Sequence, residues 1–180
     1  GAGILAAIIG FASQKAFANI ISGIFILMFK PFRVDDTLEL FGGRKGVVEE
    51  ITLRHTVIRD YENRRVIIPN SQISDEVIVN SSIGDESIRK FIDFGISYDS
   101  DVDKAIRIIQ EEAQKHPSFY DHRTKQEKAA KVPAVLVRMI GHGDFSINLR
   151  AYVWTPNNDE AFALSCDLLY TVKKRFDHEG

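Results

Sequence analysis

Cysteine is almost absent from this 180-residue chain: Cys166 stands alone, which excludes a disulfide framework within it and suits a reducing compartment. An excess of basic charge is missing as well, and the formal net charge of −2 argues against a general nucleic-acid binder. Catalytic constellations are lacking. His55, His116, His122, His142 and His178 are scattered, with no i, i+4 pair and no cysteine partner, so the spacing of a zinc site is not there. Gly141-His142-Gly143 is too short for a phosphate loop and reads as hairpin-turn glycine. Cys166 falls on the face predicted to be apolar in the last helix, where a packed thiol is expected rather than a nucleophile. Asp35-Asp36 reads as a strand-entry turn rather than a metal or acid pair. The expectation is a protein that is not an enzyme and holds no metal or cofactor.

What the chain has is an apolar opening. Gly1 to Phe29 contains no acidic residue, and its only charged side chain is Lys15. Ser13-Gln14-Lys15 divides it into two apolar segments. In the first, Gly3, Ala7 and Gly10 recur at helical spacing, and such a bulk-free face lets helices approach closely inside a membrane. In the second, Lys15, Asn19 and Ser22 make a narrow polar stripe opposite Phe17, Ile20, Ile21, Ile24, Phe25 and Met28, the pattern of a helix lying along an interface. Neither half reaches the roughly 20 apolar residues of a bilayer span. Gln14 and Lys15 are also costly at the hydrocarbon centre unless they face water or protein. A helix broken or kinked between Ser13 and Gly23 is therefore predicted, with Gln14, Lys15, Asn19 and Gly23 as hinge candidates. Lys30-Pro31-Phe32-Arg33 ends the run, because proline stops a helix, and its two cations suit the cytoplasmic edge of a membrane.

Several motifs recur here in order. Ile8-Ile9-Gly10-Phe11-Ala12-Ser13-Gln14, Asn19, Ser22-Gly23, Lys30-Pro31-Phe32-Arg33 and Asp35-Asp36 come first. Gly46-Val47-Val48-Glu49, Leu53-Arg54-His55-Thr56 and Ile68-Pro69-Asn70-Ser71 follow. Together they resemble the MscS family of small-conductance mechanosensitive channels over nearly the whole chain. The resemblance implies a homo-oligomer of seven subunits in a bacterial inner membrane, in contact with lipids and permeating ions, that opens under tension on hypo-osmotic shock. It implies further membrane helices before this one and a small barrel after it. The family's two constricting rings fall at Ala7 and Phe11, so Phe11 is the expected gate and Ala7 a departure from the usual leucine. Lys15 stands where better-known members have the glycine of the bend, which would leave the kink to the polar break or to Gly23. Phe29, Lys30, Pro31, Phe32 and Arg33 form the expected membrane edge, and Asp85, Glu86, Arg89 and Lys90 are candidates for side openings of a cytoplasmic cage. The alternative function is a membrane-anchored oligomeric scaffold or binding module without conductance.

The predicted fold is a kinked membrane α-helix over residues 1–30, a small Sm-like β-barrel domain over 31–82, and an α+β ferredoxin-like domain over 83–180 lacking its last strand. Thr37 to Leu40 alternates, Gly42-Gly43 signals a turn, and Gly46 opens a strand predicted to run on through Val57 with Ile51, Leu53 and Val57 on one face. Tyr61-Glu62-Asn63-Arg64 reads as a turn and Arg65 to Ile68 as a strand; Ser71 to Asp85 is left as a transition. The barrel shape raises an RNA-binding alternative, helped by Arg54, Arg59, Arg64 and Arg65. The lack of aromatic stacking platforms in that stretch weighs against it. In the last domain Ile88 to Ile96 is a strand, Ser100 is the predicted cap of a helix from Asp101, and Pro117 marks that helix's end. His116 to Lys131 shows no organisation. A hairpin turns at Gly141 to Asp144, and a final helix is predicted to bury Phe162, Cys166, Leu169, Val172 and Phe176.

Overall fold

The computed structural model describes residues 1–40 and 42–179. It divides into two compact units, 1–85 and 86–180. Helix α1 runs unbroken from Ala2 to Phe29. The expected break at Ser13-Gln14-Lys15 does not interrupt it, because Gln and Lys are good helix formers whose polar ends remain outside a helix that is bare at this level. Lys30 ends α1 in a left-handed conformation at φ 50°, its N–H donating to the Ile26 carbonyl at 2.9 Å, and Pro31 prevents any continuation.

The rest of the first unit is a five-stranded antiparallel sheet. Its strands are β1 (Thr37–Leu40), β2 (Arg44–Ile51), β3 (His55–Asp60), β4 (Arg65–Pro69) and β5 (Ile78–Asn80), in the order β4-β3-β2-β1-β5. Helix α2 (Asn70–Asp75) links β4 to β5. The predicted single strand from Gly46 to Val57 is in fact two. Thr52 forces the turn: its Oγ1 accepts from the N–H groups of Arg54 (3.2 Å) and His55 (3.0 Å), and its own N–H donates to the His55 carbonyl. That turn changes the face parity, so Leu53 lies exposed and Thr56 is buried, the reverse of the expectation. Gly42 and Gly43 make the β1–β2 turn at φ 90° and 77°, where side chains rarely go. Phe32, Leu38, Leu40, Val48, Ile58, Ile68 and Ile73 form the core, and Ile26 of α1 joins it.

The second unit runs β6 (Ile88–Ile96), α3 (Val102–Lys115), α4 (Lys125–Ala129), β7 (Leu136–His142), β8 (Ile147–Thr155) and α5 (Asn158–Glu179), with strand order β6-β8-β7. Strand, helix, strand, strand, helix is the ferredoxin-like order. Helices α3 and α5 share one core with the inward residues of all three strands, among them Ile92, Phe94, Val137, Leu149 and Val153.

Three expectations change here. Asp101, not Ser100, caps α3, because its carboxylate accepts from the Lys104 N–H at 3.0 Å while the Ser100 hydroxyl meets that of Ser97. The stretch from His116 to Lys131 is organised after all. Thr124 and Glu127 close a capping box on α4, and Asp121 holds Arg123 and Lys128. Hydrogen bonds from Arg123 hold the Asp121 carboxyl far below the usual carboxylate range. Finally, α5 buries Ala161, Leu164, Leu168 and Val172, and leaves Phe162, Cys166 and Leu169 exposed. Small residues and leucines fit the tight helix–sheet contact, so the bulkier stripe turns outward. The Cys166 thiol is not the packed one expected.

Candidate functional site

Helix α1 has 28 residues, about 42 Å at 1.5 Å per residue, which is long and apolar enough to cross a membrane. Its first two-thirds touch little of their own chain. Ile4, Leu5, Ile8, Ile9 and Phe17 are exposed, Phe11 is 78% exposed, and a Cβ placed on Gly3 or Gly10 would meet nothing within 4 Å. Of the residues singled out from the sequence, Ala7, Gly10, Phe11 and Gln14 come together along one open groove on this helix. Lys15 is exposed and does not line the groove.

The last third of α1 is held. Asn19 Oδ1 accepts from both the backbone N–H of Ser71 (3.0 Å) and its hydroxyl (2.8 Å), while Asn19 Nδ2 donates to the Lys15 carbonyl (2.9 Å). One turn later Gly23 is buried, and a Cβ there would lie 2.4 Å from the Leu53 carbonyl oxygen and 2.5 Å from Asn70 Nδ2. Glycine is needed for this approach, whatever its flexibility. Ile26 completes the contact, so Asn19, Gly23 and Ile26 form one stripe at i, i+4 and i+7.

Beneath the stripe lies a buried polar support. Asn70 and Thr56 are fully buried; the Thr56 hydroxyl donates to Asn70 Oδ1 (3.0 Å) and Asn70 Nδ2 donates to the Thr52 carbonyl (2.8 Å). Each group is satisfied, as burial demands. The same Thr52 that turns β2 into β3 thus anchors the amide that faces Gly23.

The junction is tied down too. Phe32 is buried in the β core, while Phe29, Lys30, Pro31 and Arg33 stay exposed. Asp36 accepts from the Arg33 N–H (2.9 Å) and from Asn80 Nδ2 (2.8 Å), closing the turn that the sequence suggested for Asp35-Asp36. Two of the four arginines considered for RNA are already paired: Arg64 with Asp60 and Glu62, Arg65 with Glu49. The Arg65 hydrogen bond is the main reason the Glu49 carboxyl sits below its ordinary range. Of the side-opening candidates, Asp85 belongs to the first unit and Glu86, Arg89 and Lys90 to the second. Arg89 and Lys90 are neighbours on β6 and project to opposite sides of the sheet, and Asp85 and Glu86 straddle the boundary between the units.

Residues 15–83 match the family described as "Mechanosensitive ion channel, beta-domain", and residues 92–180 match "Mechanosensitive ion channel MscS, C-terminal". The chain belongs to the MscS family. An MscS family protein of Archaeoglobus fulgidus is 32% identical over 178 residues, covering 99% of this chain and 58% of that protein. The small-conductance mechanosensitive channel MscMJ of Methanocaldococcus jannaschii is 31% identical over 185 residues, covering 100% of this chain and 49% of that one. The chain thus spans about half the length of these MscS relatives. The crystal structure of Helicobacter pylori MscS in its closed state superposes with a TM-score of 0.83 at 21% identity, over 98% of this chain and 65% of that one. That likeness is one of fold.

Sequence reasoning named Asn19 and Gly23 as bend residues but missed Ser71, Leu53, Asn70 and Thr56 as their partners. Ile68-Pro69-Asn70-Ser71 was visible as a motif. What Asn70 and Ser71 touch lies 47 to 52 residues away in sequence, beyond the reach of local pattern.

Proposed function

We propose that this chain is the pore helix and part of the cytoplasmic region of a tension-gated ion channel that lets ions and small solutes pass on hypo-osmotic shock. The observation that carries the reading is the division of α1 into a bare apolar stretch and a tethered one. Seven copies surround an axis in a bacterial inner membrane, in contact with lipid, with residues after about 31 on the cytoplasmic side. The small residues Gly3, Ala7 and Gly10 let neighbouring helices approach closely. Phe11, aided by Ala7, forms an apolar constriction that sheds water and so stops ions without a plug. Gln14, Lys15, Asn19 and Gly23 are where the tethered part hands over to the moving part. Tension favours the state of larger in-plane area, and the tether transmits the shift in population to the β domain. Phe29 to Arg33 mark the membrane edge, and Asp85, Glu86, Arg89 and Lys90 border the side openings through which permeating ions pass.

Patch recording of the full-length protein under graded suction tests this. Stretch-activated current is expected, with Phe11→Ser lowering the threshold or adding a leak. Assembly without current at any tension would instead make the protein a membrane-anchored scaffold.

A further inference from the structure

Strand register puts Arg89 of β6, Tyr152 and Trp154 of β8 and Leu136 of β7 on the side of the second unit's sheet that faces away from α3 and α5. The chain between α3 and β7 returns over this side and leaves a cavity of about 460 Å³ against it, within the size range of small-molecule sites. Tension gating makes no use of it.

The cavity is held in shape at both ends. The Tyr120 N–H donates to the Trp154 carbonyl at 2.9 Å, and the His122 ring lies on the Trp154 ring with centroids 4.0 Å apart and planes 12° apart. Farther along, Arg123 Nη1 donates to the Val132 carbonyl at 2.8 Å, which fixes the run Val132-Pro133-Ala134 as another wall. Aliphatic carbon from Val132 to Leu136 and the rings of Tyr152 and Trp154 therefore line one space.

The other fixed charges that line it are committed to neighbours in the same chain. Arg123 holds both oxygens of Asp121, at 2.8 Å and 2.9 Å. Glu127 accepts the N–H and the hydroxyl of Thr124 through Oε2, which keeps its carboxyl ionised. Arg89 differs. Its guanidinium lies 4.8 Å from the Tyr152 ring centroid and 6.0 Å from that of Trp154, and it has no hydrogen-bond or carboxylate partner among the described residues. A guanidinium laid on an aromatic face keeps its N–H fork in its own plane, free to take two oxygens at once.

We infer that this cavity binds a small organic anion with an apolar body. The carboxylate or phosphate head takes the Arg89 fork, and the body rests among Val132, Leu136, Tyr152 and Trp154. Apolar walls gain nothing from a bare inorganic ion, and a charged head makes a stronger hydrogen bond to the fork than a neutral one of the same shape.

Benzoate is the probe, titrated into the full-length protein in detergent and followed by saturation-transfer NMR. A dissociation constant of about 1 mM is expected for a ligand of this size. Benzamide, which has the same shape without the charge, is expected to bind about tenfold more weakly. Phenyl phosphate run beside benzoate names the preferred head group, and inorganic phosphate is expected to displace neither. Arg89→Gln should bring benzoate down to the level of benzamide and leave benzamide where it was, a split that a folding defect would not produce. Ala134→Phe fills the space and should remove both.

No transfer from benzoate at about ten times the expected dissociation constant overturns the inference, whether the cavity is closed or covered by another copy. Equal binding of benzamide, or benzoate binding that Arg89→Gln leaves untouched, overturns it too. Binding is read without current, so a protein that takes benzoate but never conducts fails the channel reading alone, and a conducting one that takes no benzoate fails this inference alone.

Discussion

Residues 2–17 and 19–26 belong to one continuous helix, yet they meet opposite environments. The first stretch leaves Ile4, Leu5, Ile8, Ile9, Phe11 and Phe17 exposed, and the second buries Gly23 and Ile26 and hydrogen-bonds Asn19 to Ser71. The difference teaches that an apolar helix need not be held along its length to be fixed in position. A single stripe at i, i+4 and i+7 fixes one end, and the rest is left for lipid or for copies of itself. The same contrast recurs in α5, whose leucine stripe is committed to its own core while its bulkier stripe is not.

Substitutions can break this contrast. The largest effect is expected from Asn70→Ala, which takes the partner from the buried Thr56 hydroxyl and from the half-buried Thr52 carbonyl and costs about 3 kcal/mol. A clear fall in the unfolding temperature of the detergent-solubilised full-length protein checks it; an unchanged value would mean that the support does not hold the tether. Gly23→Ala is next. Its Cβ meets the backbone carbonyl of Leu53, which cannot swing aside like a side chain, so overpacking costs about 1–3 kcal/mol in spite of alanine's better helix propensity. Limited proteolysis near Lys30 should become faster as the helix lifts off.

Asn19→Ala removes three hydrogen bonds, two of them to Ser71, at a half-buried site and is expected to cost about 1 kcal/mol, with a smaller rise in proteolysis than Gly23→Ala. Ser71→Ala, which keeps the backbone donor, should fall below it. The smallest effect on stability is expected at Phe11. Phe11 is 78% exposed, so Phe11→Ser should change the stability of the chain by less than about 0.5 kcal/mol. A large loss would show that the bare stretch is packed in the assembled protein more tightly than a moving gate allows.

Much of the fold was legible. The alternation of Thr37 to Leu40 and of Ile88 to Ile96, the turn at Tyr61 to Arg64, and the helix ending before Pro31 are local signals, and each corresponds to an element or turn in the structure. The misreadings have local causes of a different kind. Thr52 outweighed the strand pattern around it by offering its hydroxyl to two backbone N–H groups. The Thr124 and Glu127 capping box was present as a spacing and went unread because its helix is only five residues long. On α5 two stripes compete at helical spacing. Hydrophobicity favoured the one with Phe162 and Leu169, but the close contact with the sheet took the one with Ala161, Leu164 and Leu168.

By itself the sequence determined that the chain opens with an apolar helix, stops it at Pro31, and follows it with short strands and then an α+β sandwich, because propensity, periodicity and turn chemistry act over a few residues. Only the tertiary structure decided which part of that helix is held, which glycine is required by a neighbour, and which stripe of α5 faces the core. Those outcomes depend on atoms brought together from positions tens of residues apart, where a carbonyl 2.4 Å from an absent Cβ decides what hydrophobicity cannot.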